Sequence, residues 1–520
     1  MLFNSYEFIF IFLPTVLLVF HLIGKQGHHR VAIAWLVGAS LFFYGWWNPA
    51  YLGLMLFSIL FNYSIGILLS NTTGSKLSSK SILVIGLTAN LAVLSYYKYA
   101  NFFVDNLNAL SNSNLILHNV ILPLAISFFT FQQIAYLIDS YRGETQEYSF
   151  LHYCLFVTFF PQLIAGPIVH HREMLPQFAK DVVYKLHSKH LAVGMTIFAL
   201  GLFKKVVLAD GISVYATPVF DAAEAGVLLT FFEAWSGALA YTFQLYFDFS
   251  GYSDMALGIA RMFGIRLPLN FNSPYKATSI IDFWRRWHIT LSRFLRNYLY
   301  IPLGGSRKGK VRRHINLMIT MILGGLWHGA GWTFVLWGAL HGLYLMINHG
   351  WRAVFIGRGK TKVGSFFAWA ITFLAVVVSW VPFRAESISG VSNLLKAMTG
   401  VNGISLPINL ENIFVNYGLL FPVNLITFDG MFHNFLYGDN FVAICWIFLL
   451  LLIATFFPNT QQLMRNYKPA FETYRGEVVK LDHKWAEWKQ TMSWALFISI
   501  IVTVSILSLS GESEFLYFQF

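Results

Sequence analysis

Long apolar runs recur along almost the whole of this chain and constrain its fold more than any other feature. A helix needs roughly 17 to 25 mostly apolar residues to cross a ~30 Å hydrocarbon core. Clear runs lie at 7–23, 31–47, 50–70, 82–97, 119–139, 191–208, 228–247, 332–349, 364–383, 441–457 and 492–510, and less regular ones at 151–168 and 315–328. Because backbone groups find no water in lipid, such runs cross it as helices. They predict an all-α polytopic integral membrane protein with about eleven spanning helices and re-entrant segments.

The composition agrees with a membrane protein. Hydrophobic residues make up 56% of the chain and charged residues only 12%, which excludes an ordinary soluble protein. The first apolar run begins almost at Met1, with no basic segment before it and no small-residue cleavage site after it. We therefore expect this run to remain as a spanning helix rather than to be removed as a leader.

The chain has a net charge of +12, and many of its basic residues lie in short connections between the apolar runs. The basic residues there are Lys25, Arg30, Lys76, Lys80, Arg307, Lys308, Lys310, Arg312, Arg313, Arg352, Arg358, Lys360, Lys362, and those from Arg465 to Lys489. Basic residues concentrate in the cytoplasmic loops of membrane proteins. The charge thus predicts topology and contact with membrane lipid, and it does not point to nucleic acid.

One long connection has the opposite charge. Residues 385–440 carry four acidic residues against Lys396 alone, so we expect this loop to be extracytoplasmic. The basic loop 459–491 is then cytoplasmic, and the last run, 492–510, carries the tail 511–520 to the outside. Both termini are predicted to be extracytoplasmic.

Charged residues interrupt the hydrophobic middle of the chain, between about 248 and 330. An ionisable group at membrane depth costs several kcal/mol unless it faces a cavity or a partner, so it marks a candidate functional site. On a helical wheel over Asp282–Leu303, Trp284, His288 and Ser292 share one face. The segment predicts a helix at, or re-entering, the cytoplasmic interface, with its arginines towards headgroups. A plain interfacial amphipathic helix is the alternative.

A second group of candidate residues lies in LGGLWHGAGWTFVLWGALHG, which begins at Leu323. Its glycines let helices approach closely, and His328 lies among them. An imidazole in an apolar segment is suited to take and return a proton. A buried histidine is more often a hydrogen-bond partner between helices, and this is our interpretation of His341.

Other motifs are set aside. GGSRKGKV, at Gly304–Val311, imitates a phosphate-binding loop but has Val311 where Ser or Thr is needed. The histidines His170, His171, His187 and His190 lie among lysines, and we predict no metal site there. Cys154 and Cys445 both lie in apolar runs, which argues against a disulfide.

Four blocks of sequence carry a family resemblance. They are FFPQLIAGPI at 159–168, FDFSGYSDMALGIARMFGIRLPLNFNSPY at 247–275, DFWRRWHITLSRFLRNYLYIPLGG at 282–305 and LWHGAGWTFVLWGALHG at 326–342. Together they resemble the signature blocks of the membrane-bound O-acyltransferase (MBOAT) family. The likeness is greatest to its bacterial branch, which includes the membrane subunit of alginate O-acetyltransferases.

The resemblance implies a ring of tilted helices around a central acyl-transfer tunnel, in the bacterial inner membrane. The membrane domain would occupy 1–510, with its catalytic core at about 150–350. The donor would be a cytoplasmic thioester, with acetyl-CoA expected and no permanently bound cofactor. The implied reaction is O-acetylation of a cell-surface polysaccharide, most of all an alginate-like exopolysaccharide.

The resemblance also implies residue roles. His328 matches the family's membrane histidine, and His288 matches the second tunnel histidine of the bacterial branch, where many eukaryotic relatives carry Asn. We expect His328 to act as general base and His288 to orient a reactant or stabilise the oxyanion. The residues expected to line the tunnel or the substrate are Asp282, Trp284, Arg285, Trp287, Ser292 and Trp327.

Alternatives remain open at this point. D-alanyl transfer to teichoic acid and O-acetylation of peptidoglycan are rival reactions, and a polysaccharide or small-molecule transporter is the non-enzyme alternative. The implied partners are an extracytoplasmic acetyltransferase of the SGNH-hydrolase type and a polysaccharide-synthesis complex.

The chain ends in GESEFLYFQF. Aromatic residues at this place fit an interfacial anchor. Similarity to related acyl-transfer systems suggests a second role, in which the hydroxyl of Tyr517 receives the acyl group and hands it on.

Overall fold

The structure is a computed structural model, and it describes residues 1–70, 78–117, 120–145, 147, 149–354, 361–407, 410–411, 426–431, 440–471, 486–509 and 516. The first half of these residues forms helices α1 (Leu13–Lys25, after a π-helical turn at Phe8–Phe12), α2 (His29–Gly45), α3 (Ala50–Ser70), α4 (Ser79–Ser111), α5 (Ile126–Tyr141), α6 (Phe150–Thr158), α7 (Phe160–Leu163), α8 (His171–Phe178), α9 (Ser188–Phe203), α10 (Asp210–Glu224) and α11 (Phe231–Met262).

The second half forms α12 (Ile280–Trp284), α13 (Ile289–Leu295), α14 (Gly309–His328), α15 (Trp332–Val354), α16 (Lys362–Arg384), α17 (Ile388–Met398), α18 (Asn440–Phe456), α19 (Thr460–Leu463) and α20 (Met492–Leu507). Single 3-10 turns occupy Asp181–Tyr184, Pro274–Lys276 and Arg465–Tyr467, and π-helical segments occupy Lys204–Ala209 and Arg296–Tyr300. A short parallel ladder pairs β1 (Ile404–Ser405) with β2 (Ile426–Thr427).

The predicted apolar runs are helical, which confirms the all-α membrane class. Within the described residues, five helical stretches are long and apolar enough to cross a membrane, and two shorter apolar helices accompany them. The number of eleven spanning helices stays a prediction. One boundary was wrong: the run at 119–139 becomes helical only at Ile126, because Ala125 has a left-handed backbone (φ 60°).

Helix α11 lies at the centre of the fold, and most of its residues are buried. Two glycine pairs bring it against α9. A Cβ added at Gly201 would lie 2.6 Å from the carbonyl oxygen of Gly251, and one added at Gly258 would lie 2.6 Å from that of Gly194. Without glycine at these crossings the two backbones could not approach so closely.

A buried ion cluster joins α11 to the segment between α9 and α10. Lys205 and Asp248 are each 1% exposed, and the Lys205 Nζ lies 2.7 Å from a carboxylate oxygen of Asp248 and 2.7 Å from one of Asp210. The π-helical turn at Lys204–Ala209 places this lysine between the two carboxylates. Buried charges are tolerated when they are paired in this way.

The loop at 385–440 contains the short helix α17. Helix α17 buries Val391, Leu394 and Ala397 against the helices below it. The Glu224 carboxylate accepts hydrogen bonds from the backbone N–H of Glu386 at 2.8 Å and holds the start of this helix. The described part of this loop therefore lies directly on the end of α10.

Helices α14 and α15 cross at glycines and thereby place His328. A Cβ added at Gly338 would meet the Met321 carbonyl oxygen, and one added at Gly325 would meet that of Phe334. The contact brings the last turn of α14 against the first turns of α15, so the position of His328 depends on it.

We expect Gly338→Ala to lower the free energy of unfolding by about 1 to 3 kcal/mol, because its new methyl group meets backbone atoms that cannot move aside. Thermal unfolding of the detergent-solubilised chain measures the effect. Gly350→Ala is the matched control in the same helix, since a Cβ there has no neighbour within 4 Å. Equal melting temperatures for the two variants would contradict this account of the crossing.

Candidate active site

Two histidines face each other in the buried interior. The ring centroids of His288 and His328 lie 6.2 Å apart, and the two side chains are 0% and 5% exposed. The sequence placed both among the candidate residues, and the structure brings them together from segments 40 residues apart in the chain.

His328 is the last residue of α14, and aromatic rings enclose it. Its ring centroid lies 4.9 Å from Trp327, 5.2 Å from Trp337 and 5.1 Å from Phe383. Three aromatic rings thus pack around the imidazole and limit its movement. In such surroundings a polar interaction is stronger than in water.

His288 lies at a break between two short helices. It has a left-handed backbone (φ 41°) and immediately precedes α13. Asn270 holds this conformation, because its carbonyl oxygen accepts the Ile289 N–H at 2.9 Å and its side-chain oxygen accepts the Thr290 hydroxyl at 3.0 Å. The predicted single helix over Asp282–Leu303 is therefore wrong.

The same asparagine sets the proton position on His288. The Asn270 side-chain oxygen already accepts from Thr290 and lies 3.0 Å from His288 Nδ1. An oxygen acceptor requires the proton on Nδ1, so Nε2 of the neutral ring carries a lone pair. Within the described part of the chain, Nε2 has no hydrogen-bond partner. It can accept a proton or a hydrogen bond from a reactant.

His341 has a structural role, as its sequence context suggested. Trp284 donates its indole N–H to His341 Nδ1 at 3.3 Å, and the other ring nitrogen, Nε2, lies 3.0 Å from the Ser379 hydroxyl oxygen. Ser379 in turn donates to the Val376 carbonyl at 2.7 Å, so His341 donates to Ser379. Both of its nitrogens are used, which leaves none for chemistry.

A cavity of about 100 Å³ reaches His328. Lys98, Ser127, Ile164 and Trp327 line it beside the histidine. Its far end is formed by Trp47 and by the segment 122–126, between α4 and α5. Trp47 lies between α2 and α3, so connections between helices form this end of the cavity.

The structure separates the other predicted lining residues. Trp327 contacts both histidines, and Trp287 packs 4.9 Å from Trp380 in the surrounding aromatic layer. Trp284 does not share a helical face with Ser292, because the break at His288 separates their helices. Ser292 instead donates to the Trp287 carbonyl at 3.3 Å.

Two predicted residues and the tail lie elsewhere. The Asp282 carboxylate pairs with Arg286 Nε at 3.0 Å, and Arg285 is exposed. Tyr517 lies outside the described residues. The residue before it, Leu516, is fully buried in the hydrophobic cluster around α11.

One arginine departs from the predicted interfacial placement. Arg293 is buried and forms a two-pronged ion pair with Glu173, with N···O distances of 2.5 and 2.9 Å. The geometry is that of a structural pair rather than of a headgroup contact. It ties α13, which follows His288, to α8.

In the histidine group of His170, His171, His187 and His190, the first two histidines lie within hydrogen-bond distance of separate hydroxyl groups. His170 Nδ1 lies 3.0 Å from the Tyr298 hydroxyl, and His171 Nδ1 lies 2.6 Å from the Thr145 hydroxyl. Among the described residues, no group of three or more His, Cys, Asp or Glu side chains could hold a metal ion.

Sequence reasoning missed two residues that hold this site, Asn270 and Lys98. The apolar run at 82–97 ends directly before Lys98, so hydropathy alone does not mark this lysine as buried. Helix α4 continues to Ser111, and Lys98 lies buried within it. A lone lysine followed by more helical sequence was the available signal.

This paired-histidine site lies inside a helical membrane protein and adjoins a cavity. The model of the membrane-bound O-acyltransferase family matches residues 73–375.

Relatives match along the whole chain. The peptidoglycan O-acetyltransferase of Helicobacter pylori is 40% identical over 100% of this chain and 98% of its own length. The probable alginate O-acetylase of Pseudomonas putida is 38% identical over the full length of both chains. A teichoic acid D-alanyltransferase of Streptococcus thermophilus is 28% identical over 46% of this chain and 60% of its own. The chain belongs to the membrane-bound O-acyltransferase family, and it is an acyltransferase.

Asn270→Ala removes the oxygen that fixes the His288 ring. We expect kcat for acyl transfer to fall about 10- to 100-fold, because a misplaced reacting group is costly, while KM for the donor stays unchanged. Thiol release from acetyl-CoA by the purified chain in lipid nanodiscs measures both constants.

Asn62→Ala is the matched control, since this buried asparagine pairs with Asn90 on α3 and α4 at 3.1 Å, away from His288. Full activity in Asn270→Ala, or an equal loss in both variants, would contradict the positioning role of Asn270.

Proposed function

We propose that this protein transfers an acetyl group from a cytoplasmic thioester donor, across the membrane, for O-acetylation of a cell-surface polysaccharide. The observation that carries the proposal is the buried pair of His288 and His328, with a cavity that reaches His328. A buried site of this kind holds two reactants together and so lowers the entropic cost of their meeting.

In the proposed reaction, His328 accepts the proton of the acceptor hydroxyl, and the hydroxyl oxygen attacks the thioester carbonyl carbon. The C–S bond then breaks, and the leaving thiolate takes the proton. His288 Nε2, which carries a lone pair, orients the acceptor by accepting a hydrogen bond. Because Nε2 carries no proton in this tautomer, it cannot donate a hydrogen bond to an oxyanion. The tautomer therefore supports the orienting role of His288.

Indole N–H groups are the better donors for the oxyanion. Nε1 of Trp327 and of Trp337 is buried and finds no hydrogen-bond acceptor within the described residues. Their rings lie 4.9 and 5.2 Å from the His328 ring. Donors fixed in advance near the reacting carbon stabilise the developing negative charge.

The direction of transfer rests on the placement of charge. Helix α14 has 20 residues, a length of ~30 Å, and runs from the basic segment at Lys310–Arg313 to His328. Those basic residues, with the exposed Arg285, suit the phosphates of acetyl-CoA on the cytoplasmic side. The acceptor would enter from the opposite side, through the cavity beside Trp47.

The nature of the group and of the polymer rests on the relatives. Proteins named as O-acetyltransferases or O-acetylases match the full chain at 38 to 40% identity, while the D-alanyltransferase matches less than half of it. This supports acetyl over D-alanyl transfer. An alginate-like exopolysaccharide is the first candidate polymer. Peptidoglycan is the second, favoured by the full-length match to the Helicobacter pylori protein.

Delivery to a polymer requires a further protein. We propose that an extracytoplasmic acetyltransferase of the SGNH-hydrolase type takes the acetyl group from this chain, in association with the polysaccharide-synthesis complex. Both termini would lie on that side of the inner membrane.

The carboxyl-terminal segment is the proposed carrier. Leu516 is 0% exposed and its backbone N–H interacts with the carboxylate of Asp248, which belongs to the buried cluster with Lys205. The burial of Leu516 supports a role for this segment beyond anchoring at the interface. Tyr517 is the next residue in the sequence and would supply the acceptor hydroxyl.

We expect His328→Ala to abolish acetylation of the surface polymer, because the change removes the proposed general base. Mass spectrometry of exopolysaccharide and of peptidoglycan, from cells with and without the gene, measures the acetyl content of each and identifies the polymer. His349→Ala, at the cytoplasmic end of α15, is the control. Acetylation retained in His328→Ala at a normal membrane level would overturn the mechanism.

Tyr517→Phe keeps an aromatic anchor and removes only the hydroxyl. We expect acetylation of the polymer to be lost. We also expect the variant protein to carry no radioactive acetyl group after incubation with acetyl-CoA that is 14C-labelled in its acetyl group. Tyr6→Phe is the control, since the Tyr6 hydroxyl donates to the Ile506 carbonyl at 3.2 Å, close to the end of α20. Full acetylation by Tyr517→Phe would eliminate the carrier role and leave the anchor.

A further inference from the structure

Helix α14 ends inside the protein, where its last carbonyl groups have no water to bind. The last four carbonyls of an α-helix lack partners within the helix. Here the Gly325 carbonyl accepts the Gly329 N–H at 3.3 Å. The carbonyls of Leu326, Trp327 and His328 need donors from elsewhere.

Two consecutive residues of α4 supply those donors. The Tyr99 hydroxyl donates to the Leu326 carbonyl at 2.6 Å. The Lys98 Nζ donates to the carbonyls of Trp327 at 2.5 Å and of His328 at 3.0 Å. All four terminal carbonyls are thereby satisfied, three of them by one adjacent pair of side chains.

The bonds of Lys98 determine what it can do. An ammonium group has three N–H donors. Two go to α14 and the third lies towards the Ser127 hydroxyl, at 3.4 Å. Lys98 lines the cavity, yet no donor is left for a substrate. Its positive charge also lies where the negative end of a helix dipole favours a cation.

We propose that Lys98, with Tyr99, is a positioning residue for acyl transfer: it holds the main chain of His328 and thereby sets the imidazole against His288 and the cavity. This inference rests on the proposed catalytic role of His328. The bond is made to the carbonyl of His328 itself, so its loss frees the last turn of α14 at the residue that carries the ring. Nothing in the Lys98 contacts requires it to touch a reactant.

The first test replaces Lys98 in the full chain, in lipid nanodiscs, with acetyl-CoA as the probe. Lys98→Met keeps the length of the side chain and removes its charge and donors. We expect kcat for thiol release to fall about 100-fold, since a displacement of about 1 Å costs that much. KM for acetyl-CoA should stay within about twofold of the original. Lys98→Arg keeps the cation and several donors, so its kcat should be at least about tenfold higher than that of Lys98→Met.

Tyr99→Phe keeps the proposal testable if Lys98→Met does not fold. It removes only the hydrogen bond to Leu326, and we expect kcat to fall about 2- to 10-fold. Tyr184→Phe is the matched control, because this buried hydroxyl donates to the Phe178 carbonyl at 2.8 Å, away from His328. Melting temperatures of the two variants should fall equally, whereas only Tyr99→Phe should lose kcat.

The outcomes are distinct. Unchanged kcat in Lys98→Met or in Tyr99→Phe would overturn the positioning role. The role would also fail if Lys98→Arg were no more active than Lys98→Met, or if Tyr99→Phe and Tyr184→Phe lost kcat equally. His328→Ala is assayed alongside. If it keeps full activity, the proposed function fails; if it is inactive while Lys98→Met is not, only the role of Lys98 fails.

Discussion

The absence of water in the hydrocarbon core governs this structure more than any single contact. Every backbone group that leaves a regular helix inside the protein needs a partner from another segment, because an unsatisfied group there costs several kcal/mol. The active-site region departs from regular helix twice, at the end of α14 and at the break before α13. In both places a residue from another segment supplies the missing bonds: the Lys98 side chain for α14, and the carbonyl and side-chain oxygens of Asn270 for α13.

These two departures are also what create the site. A histidine in the middle of a continuous helix would face either lipid or a neighbouring helix. His328 at a helix end has the cavity beside it, and both histidines lie against aromatic rings rather than lipid. The polar groups that repair the backbone therefore also fix the two imidazoles. Stability and chemistry depend on the same few bonds, and the glycine crossings of α9 with α11 and α14 with α15 hold the helices close enough to make them.

Much of this could be predicted from the sequence. The apolar runs gave the helices, because the thickness of the membrane sets their length, and the small-residue zone around His328 indicated a close crossing. The break at His288 could not be predicted, because the wheel pattern of Asp282–Leu303 is consistent with a helix and the left-handed residue is a histidine rather than a glycine. Arg293 was misplaced for a related reason: its partner Glu173 lies 120 residues away. The role of Lys98 depends on a contact over 230 residues, which no local pattern contains.

The left-handed backbone of His288 restricts which amino acids can replace it in related chains. Histidine and asparagine enter this region more readily than most residues, and a β-branched side chain is strongly disfavoured there. The Asn that resemblance assigns to this position in eukaryotic relatives is thus one of the few replacements that would preserve the turn. The main-chain conformation at residue 288 thus limits its replacement independently of catalysis. An Asn at this position is compatible with the left-handed turn even where it no longer serves the role of the imidazole.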